Sequence, residues 1–386
     1  MIERPRFWRW TRLRVDRDNY YHVLQSDRVN IVPEIRIVVD SCPASVILNI
    51  IKDLFTNLVL GELELKRLHI AEGDGSELVD LPSLDPVLVS QALVRLEECS
   101  FRPSTVFRPM STVQLVSLFT AIDQTNSLKL KTLNLPNQDY SQVPPEVLAA
   151  ALVRLEDTNI LVSPLSPLQV SSLFTKMAES RVMNIKMINL DVMNCSNISP
   201  ELFGEALVRT TSIIKFHNIT QEQVGSLFSK IVTTEDLRLR ALCLYGCLTT
   251  ISHIPPDIVA VALARLERFC TFNAFPSGNL TTAQISALLT RLSTVEDTSL
   301  RSLSVRYKNL SSVPTDLLVA GISGLEEVKL RFTRLTAEQI TEIYRMVADR
   351  RCPRLNWINL GGNDLSSVPQ DLRDNAKLNH SVFIID

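Results

Sequence analysis

The chain has 386 residues, more than a single closed core usually holds, so either two domains or a solenoid of repeats is expected. Its 40 Lys and Arg balance 42 Asp and Glu, which leaves no global basic field for a polyanion and argues against nucleic acid as a partner. No apolar run is long enough to span a membrane, because the most apolar stretch, residues 46 to 60, contains Lys52 and Asp53.

Residues 1–34 form the first predicted segment and stand apart by their seven Arg and two Trp. Within the segment, Trp10, Leu13 and Val15 already fit the spacing LxxLxL of a short strand. The opening MIERPRFWRW lacks the apolar core of a signal peptide. We therefore expect the protein in the cytoplasm or nucleus.

A second strand and a first helix follow. Val32, Ile35 and Ile37 repeat the strand spacing, and the residues from Ser45 to Leu60 are apolar at helical intervals. The regular part of the chain is therefore expected to run from residue 35 to residue 386.

From Leu65 onward, two kinds of strand–helix unit alternate, each about 28 residues long. Strands of the first kind are predicted to start at Leu65, Leu130, Ile185, Leu239, Leu300 and Leu355. Strands of the second kind are predicted to start at Leu96, Leu155, about Arg209, Leu266 and Leu325. This period and this leucine spacing are those of a leucine-rich repeat.

The helix starts differ between the two kinds. The second kind has a hydroxyl residue followed three residues later by Gln, which predicts a capping box. The five pairs are Ser111/Gln114, Ser166/Gln169, Thr220/Gln223, Thr281/Gln284 and Thr336/Gln339. In the first kind, proline lies in the first helical turn, where it sacrifices no helical hydrogen bond. These starts are residues 143–146, 254–257, 313–316 and 368–371.

Short polar side chains that can bond the neighbouring backbone are expected in the turns after the strands. Asn363, Cys247, Thr333, Ser163 and Ser104 occupy that position. A C-terminal cap is expected from about residue 366, and a last strand, residues 382–385, would cover the sheet edge.

The predicted fold class is α/β: a curved leucine-rich-repeat solenoid, or horseshoe, with a parallel sheet on the concave face and helices on the convex face. Neither element can bury its apolar side within one unit, so neighbouring units must stack. One continuous sheet of about a dozen strands is expected.

The seven cysteines are odd in number and irregularly spaced, which favours reduced thiols over a disulfide framework. Cys243 and Cys247 are the only close pair, and no further ligands accompany them, so no metal site is expected. No motif for phosphate binding or nucleophilic catalysis occurs. We expect no enzymatic activity, no cofactor and no small-molecule substrate.

The strand spacing also predicts which side chains point into the concave face. A central column is small and polar: His69, Ser100, Asn134, Asn159, Asn189, Cys243, Cys270, Ser304, Lys329 and Asn359. At the strand starts, positive and negative charges alternate, in Lys66, Glu97, Lys131, Glu156, Lys186, Arg240, Glu267, Arg301 and Glu326. Since neighbouring strands lie about 4.8 Å apart, this charge ladder is expected to neutralise itself.

Binding energy concentrates on aromatic and Arg anchors, and the C-terminal half of the predicted concave face contains most of them. The candidate protein-binding residues are Tyr245, Phe272, Arg306, Glu327, Lys329, Arg331, Trp357 and Asn359. For Trp357 an alternative stays open, because a large apolar ring could instead pack near Phe383 as part of the C-terminal cap.

The alternating repeat over residues 30 to 370 resembles the ribonuclease-inhibitor-like class of leucine-rich repeats. A narrower resemblance lies in PRFWRWTRLRV, residues 5–15, which is similar to the end of an F-box domain. Residues 1–34 would then be an N-terminal cap segment. The F-box helices that dock onto the Skp subunit of a cullin ubiquitin ligase do not occur in the chain, so it resembles either a fragment of such a protein or one without that activity.

These observations predict a monomeric scaffold that binds a protein partner, with substrate recognition in an F-box-type ubiquitin ligase as the finer function. The repeat class also includes the GTPase activators of Ran, which gives a catalytic alternative.

Overall fold

The computed structural model describes most residues of the chain. They are residues 13–15, 34–38, 44–71, 79–101, 108–135, 138–157, 165–180, 184–190, 193–216, 219–245, 251–272, 280–295, 298–378 and 383–385. The chain divides into two compact units, residues 1–186 and 187–386.

The first unit contains a parallel sheet of five strands in sequence order, with helices between the strands. Its elements are β1 Leu13–Val15, β2 Glu34–Val38, α1 Ala44–Leu60, β3 Arg67–Ala71, a 3-10 turn Leu81–Ser83, α2 Pro86–Leu93, β4 Glu98–Phe101, α3 Thr112–Gln124, β5 Thr132–Asn134, α4 Pro145–Leu152 and α5 Pro167–Glu179. The strand predicted within residues 1–34 is therefore present as β1.

The second unit contains a parallel sheet of eight strands, again in sequence order. Its elements are β6 Met187–Leu190, α6 Pro200–Leu207, β7 Ser212–Phe216, α7 Gln221–Thr233, β8 Ala241–Tyr245, α8 Pro256–Ala264, β9 Arg268–Phe272, α9 Thr282–Thr294, β10 Ser302–Ser304, α10 Thr315–Ser323, β11 Glu327–Lys329, α11 Ala337–Ala348, β12 Trp357–Asn359, α12 Gln370–Leu378 and β13 Phe383–Ile385. The predicted last strand pairs with β12 in parallel.

Leucine spacing explains how each unit is held together. All the residues predicted to start a strand are buried, apart from Arg209. In the strands, helix-facing residues such as Leu303, Val328 and Ile358 are also buried and alternate with polar neighbours. Burial of apolar side chains between the sheet and the helices is the main stabilising term.

One predicted strand start was wrong by a residue. Thr210, not Arg209, takes the leucine position before β7, because Ser212 pairs with Ala241. Thr210 is buried, and its hydroxyl donates to the carbonyl of Leu207 over 2.8 Å. The hydrogen bond explains how a polar residue replaces leucine there.

The expected single continuous sheet is not what the described strands form. After β5, pairing continues only as one bridge between Thr132 and Asp157, and residues 158–164 lie outside the described ones. The described strands therefore form two sheets, of five and eight strands. The horseshoe curvature remains a prediction.

All five predicted capping boxes are confirmed. In each, the buried Gln has a further role, because its amide group donates to two carbonyl oxygens of the preceding repeat. Gln339, for example, donates to Leu310 over 2.9 Å and to Val313 over 2.6 Å. The Gln residues therefore join neighbouring repeats as well as starting helices. Proline is the first residue of α4 and α8, as predicted, whereas Pro314 lies one residue before α10, as its N-cap.

An arginine that precedes a strand of the second kind also links neighbouring repeats by hydrogen bonds. Arg265 donates to the carbonyl oxygens of Ile231, Val232 and Thr234, at the end of α7, each over 2.6 Å. Arg154 bonds the end of α3 in the same way. The guanidinium group satisfies carbonyl groups that a helix end leaves without partners.

Candidate binding surface

The sheet of the second unit has a face opposite the helix-facing leucines, which we call the open face. It carries Ser302, Ser304, Glu327, Lys329, Trp357 and Asn359 in β10, β11 and β12. The register places Ser304 beside Lys329, and Lys329 beside Asn359. The predicted central column is therefore confirmed in this part of the sheet.

Lys329 lies at the centre of the candidate surface. Its ammonium group is 4.5 Å from the centroid of the Trp357 ring and 3.1 Å from the carboxylate of Glu327. A cation over an indole ring contributes about 0.5–1 kcal/mol at an exposed site. The side chains of Lys329, Glu327 and Trp357 are all half-buried, so a part of each still faces solvent.

Glu327 remains ionised because its hydrogen bonds outweigh its burial. Burial would raise the pKa of this carboxyl group, but Ser302, which donates to it over 2.5 Å, and Lys329 lower the pKa below its ordinary value. The open face therefore presents a fixed acid between two strands, next to a cation on an aromatic ring.

Arg306 and Arg331 lie two residues past the ends of β10 and β11, at the edge of the sheet. Burial, followed by the positive charge of Arg331, lowers the pKa of the Arg306 guanidinium. Arginine side chains stay protonated in proteins. Two like charges therefore stand close together at this edge.

Three further residues were predicted to bind the protein partner: Asn359, Tyr245 and Phe272. Asn359 is on the open face but only 8% exposed, and its side-chain oxygen accepts from the backbone N–H of Gly361 over 3.1 Å. Tyr245 and Phe272 are at the ends of β8 and β9 and pair with each other in the register. Their side chains lie outside the described ones, so their role in binding remains a prediction.

An aromatic pair that was not predicted lies beside the arginines. The rings of Tyr307 and Phe332 are stacked, with centroids 5.0 Å apart and planes 3° apart, and they are 41% and 40% exposed. Both residues have a left-handed backbone, at φ 54° and 53°. Bulky side chains rarely adopt that conformation, which costs roughly 1–2 kcal/mol for a residue with a Cβ.

A signal for this pair was present in the sequence. Tyr307 and Phe332 lie three residues past Ser304 and Lys329, the central-column residues of their repeats, and Gly362 follows Asn359 by the same distance. The same offset after Cys243 and Cys270 gives Gly246 and Asn273. The same offset after Asn159 and Asn189, however, gives Val162 and Val192, so this signal is confined to part of the repeats. Gly and Asn are the residues that a left-handed position favours, and large aromatic residues in that conformation are unusual.

The prediction of reduced thiols was wrong for one pair of cysteines. Cys243 and Cys270, side by side in β8 and β9, form a disulfide with Cα atoms 4.8 Å apart. An odd total of cysteines does not exclude one bond between neighbouring strands. Cys99, Cys195 and Cys352 are free and buried, and burial raises the pKa of the Cys195 thiol to about 12. Cys247 lies outside the described residues.

The charge ladder is confirmed by its ion pairs. Lys66 and Glu97 lie 3.3 Å apart, Lys186 and Glu156 2.6 Å, and Arg301 and Glu326 2.5 Å. These side chains are largely exposed, so each pair contributes at most about 1 kcal/mol. The charges at the strand starts therefore neutralise one another, whereas Arg306 and Arg331, past the strand ends, lie outside the ladder.

Among the described residues, no cluster of three or more His, Cys, Asp or Glu is arranged to hold a metal ion. The described helices also include none with both the length and the apolar character that a membrane span requires. A groove with a volume of about 690 Å³ lies on the helix side, between α10 and α11, away from the open face.

Strands with buried leucines alternate with helices, and the capping Gln side chains bond their own helices to the preceding repeat. These features together define a leucine-rich-repeat protein. No protein-family model and no curated protein matches the sequence. A solved structure of the leucine-rich-repeat-containing protein LegL7 from Legionella pneumophila is 16% identical, over 79% of this chain and 97% of that one, with a TM-score of 0.41. A protein from Bacteroides fragilis is 10% identical, over 97% of this chain and 73% of that one, with a TM-score of 0.22. Both TM-scores are low, so the class rests on the chain's own repeats.

Proposed function

We propose that the protein is a scaffold that binds another protein through the open face of residues 187–386. The observation that carries this proposal is the half-buried group of Trp357, Lys329 and Glu327, which lies on the face opposite the helices. Its members are an indole ring, a cation on that ring and a fixed carboxylate. Aromatic anchors surrounded by partly desolvated polar groups are typical of the residues that dominate protein interfaces.

Folding alone accounts poorly for Trp357. The helix-facing residue of its strand is Ile358, which is fully buried, whereas Trp357 points away from that core. The alternative of packing against the last strand is supported only by backbone pairing, since Trp357 lies opposite Phe383 in the register. The side chain of Phe383 is outside the described ones.

The test compares full-length wild type with Trp357→Ala, and with Arg345→Ala on α11 as the matched control. Crosslinking and quantitative mass spectrometry would identify a partner captured by wild type, and its affinity would then be measured with purified proteins. We expect Trp357→Ala to weaken binding at least tenfold, or about 1.4 kcal/mol, with a nearly unchanged Tm. Arg345→Ala should bind as wild type does.

The opposite result is equally clear. If Trp357→Ala lowered the Tm by several degrees while the folded fraction still bound the partner, Trp357 would belong to the C-terminal cap. The binding site would then lie elsewhere.

The finer function that we propose is substrate recognition in an F-box-type ubiquitin ligase, on the resemblance of residues 5–15. Within that stretch the structure describes only Leu13–Val15, which form β1. Because the F-box helices do not occur in the chain, the test is the coding sequence upstream of Met1. Codons for further F-box helices in the same reading frame would support this function, and a stop codon there would leave only the scaffold.

The Ran-type GTPase activator remains the alternative. A measurement of GTP hydrolysis by Ran with and without the chain separates it from a scaffold. A monomeric state and a cytoplasmic or nuclear location are also proposals.

A further inference from the structure

Tyr307 and Phe332 occupy backbone positions that disfavour large side chains. Both residues adopt a left-handed conformation, and the rings are too exposed to add much to a core. Gly362 occupies the equivalent place in the next repeat, also with a positive φ, of 77°. Such conformations cluster at binding and active sites, although Arg350, just after α11, also adopts one, at φ 55°.

The geometry of the pair limits what it can bind. The Phe332 ring stacks on the Tyr307 ring and packs closely against Gly362, since a Cβ added to Gly362 would come within 2.1 Å of a Phe332 ring carbon. These contacts cover part of the Phe332 ring, which is still 40% exposed. Ring edges carry partial positive charge, which favours acidic groups.

The charges around the pair have the same preference. Three equivalent loop segments follow the strands, residues 305–309, 330–334 and 360–364, and we call them the loop edge. They contain four cations, Arg306, Lys308, Arg331 and Arg334, against one acid, Asp364, although the whole chain has a net charge of −2. Arg331 also lies over the Phe332 ring, with its guanidinium carbon 5.3 Å from the centroid.

We infer that the loop edge binds an acidic, extended polypeptide segment of the partner, with an apolar side chain against the Tyr307–Phe332 pair and carboxylates on the arginines. This inference rests on the proposed function and names the chemistry of its partner. Single-stranded nucleic acid is the less favoured occupant, because the chain as a whole has a net charge of −2 and no extended basic field for a polyanion. Arginine forks bind carboxylates with two parallel hydrogen bonds.

The test is a selection of short random peptides on the immobilised full chain, followed by affinity measurements on the enriched peptides. We expect enrichment of Asp and Glu next to an aromatic or aliphatic residue. The binding variant is Tyr307→Asn with Phe332→Gly, which removes both rings but introduces residues that the left-handed position favours. We expect it to keep its Tm within a few degrees and to bind the enriched peptides at least tenfold more weakly.

Charge is tested by a matched pair of variants. Arg331→Gln should weaken peptide binding, and added salt should weaken it further in wild type. Arg345→Gln removes an exposed arginine from the helix side of the same unit and should change nothing.

Several outcomes would overturn the inference: no enrichment of acids, no enriched peptides, or equal binding by the ring variant. Binding of a single-stranded oligothymidylate that the ring variant abolishes would assign the loop edge to nucleic acid instead. If Trp357→Ala weakens binding of the identified partner but the ring variant does not, the loop-edge inference fails and the scaffold function stands. If neither variant changes partner binding, the proposed open-face site fails as well.

Discussion

Gln339 shows how much of the fold depends on one side chain. Its amide oxygen accepts from the backbone N–H of Thr336 over 2.8 Å, and its amide nitrogen donates to the carbonyl oxygens of Leu310 and Val313. The first bond starts a helix, and the other two join that helix to the preceding repeat. The residue is buried, so water cannot replace these bonds.

This arrangement predicts different costs for two neighbouring substitutions. Thr336→Ala removes a helix cap and should lower the free energy of unfolding by about 1 kcal/mol. Gln339→Ala removes two hydrogen bonds and leaves the carbonyl group of Val313 without this donor, while the carbonyl group of Leu310 still accepts from the backbone N–H of Val313. It should cost about 2 kcal/mol. Urea unfolding measures both values, and partner binding should be unchanged in both variants. If the two costs were equal, the bonds between repeats would contribute nothing to stability.

The limits of sequence-based prediction are visible at the same scale. The capping boxes were predictable because a hydroxyl residue and a Gln three positions later are a local pattern. The side chain of Gln339 makes hydrogen bonds to Leu310 and Val313, which lie 29 and 26 positions away. A backbone carbonyl group occurs at every position, so nothing in the sequence marks these two as acceptors. The Tyr307–Phe332 pair was missed because its conformation is set by the loop backbone, which leucine spacing does not describe.

At the scale of strands, the disulfide between Cys243 and Cys270 ties β8 to β9. The repeat predicts that the two cysteines lie side by side in the central column. It does not predict that they form a disulfide, because the spacing of the repeat carries no information on the oxidation state of the thiols. Disulfides persist in oxidising compartments and are rare in the cytosol. The pair therefore opposes the predicted cytoplasmic or nuclear location, which remains a proposal.

The disulfide leads to a stability prediction. Its cysteines are 27 residues apart, and closing a loop of that length should stabilise the fold by about 3 kcal/mol. Cys243→Ser with Cys270→Ser should lose this amount in urea unfolding without reductant. With dithiothreitol present, wild type and variant should unfold alike. Equal stabilities without reductant would show that the two thiols are not bonded in the purified protein.

At the scale of the molecule, stability comes from joints between neighbours. Gln amides and arginine caps connect consecutive repeats, and ion pairs line the strand starts. Such a chain is stabilised by a sum of neighbour terms, so its last strands have the least support. The ion pairs were predictable because charge alternates with the repeat, whereas the division of the described strands into two sheets was not, because leucine spacing continues across it.

The last strand therefore gives a prediction for the whole chain. β13 pairs with β12 through three residues and covers the edge of the eight-stranded sheet. Truncation after Leu378 would expose the N–H and C=O groups of β12, and unpaired strand edges promote association with other chains. We expect the truncated chain to self-associate in sedimentation velocity experiments and to have a lower Tm. A synthetic peptide of residues 381–386, added in excess, should restore the sedimentation of the full chain. A truncated chain that stays monomeric with an unchanged Tm would mean that β13 does not protect this edge.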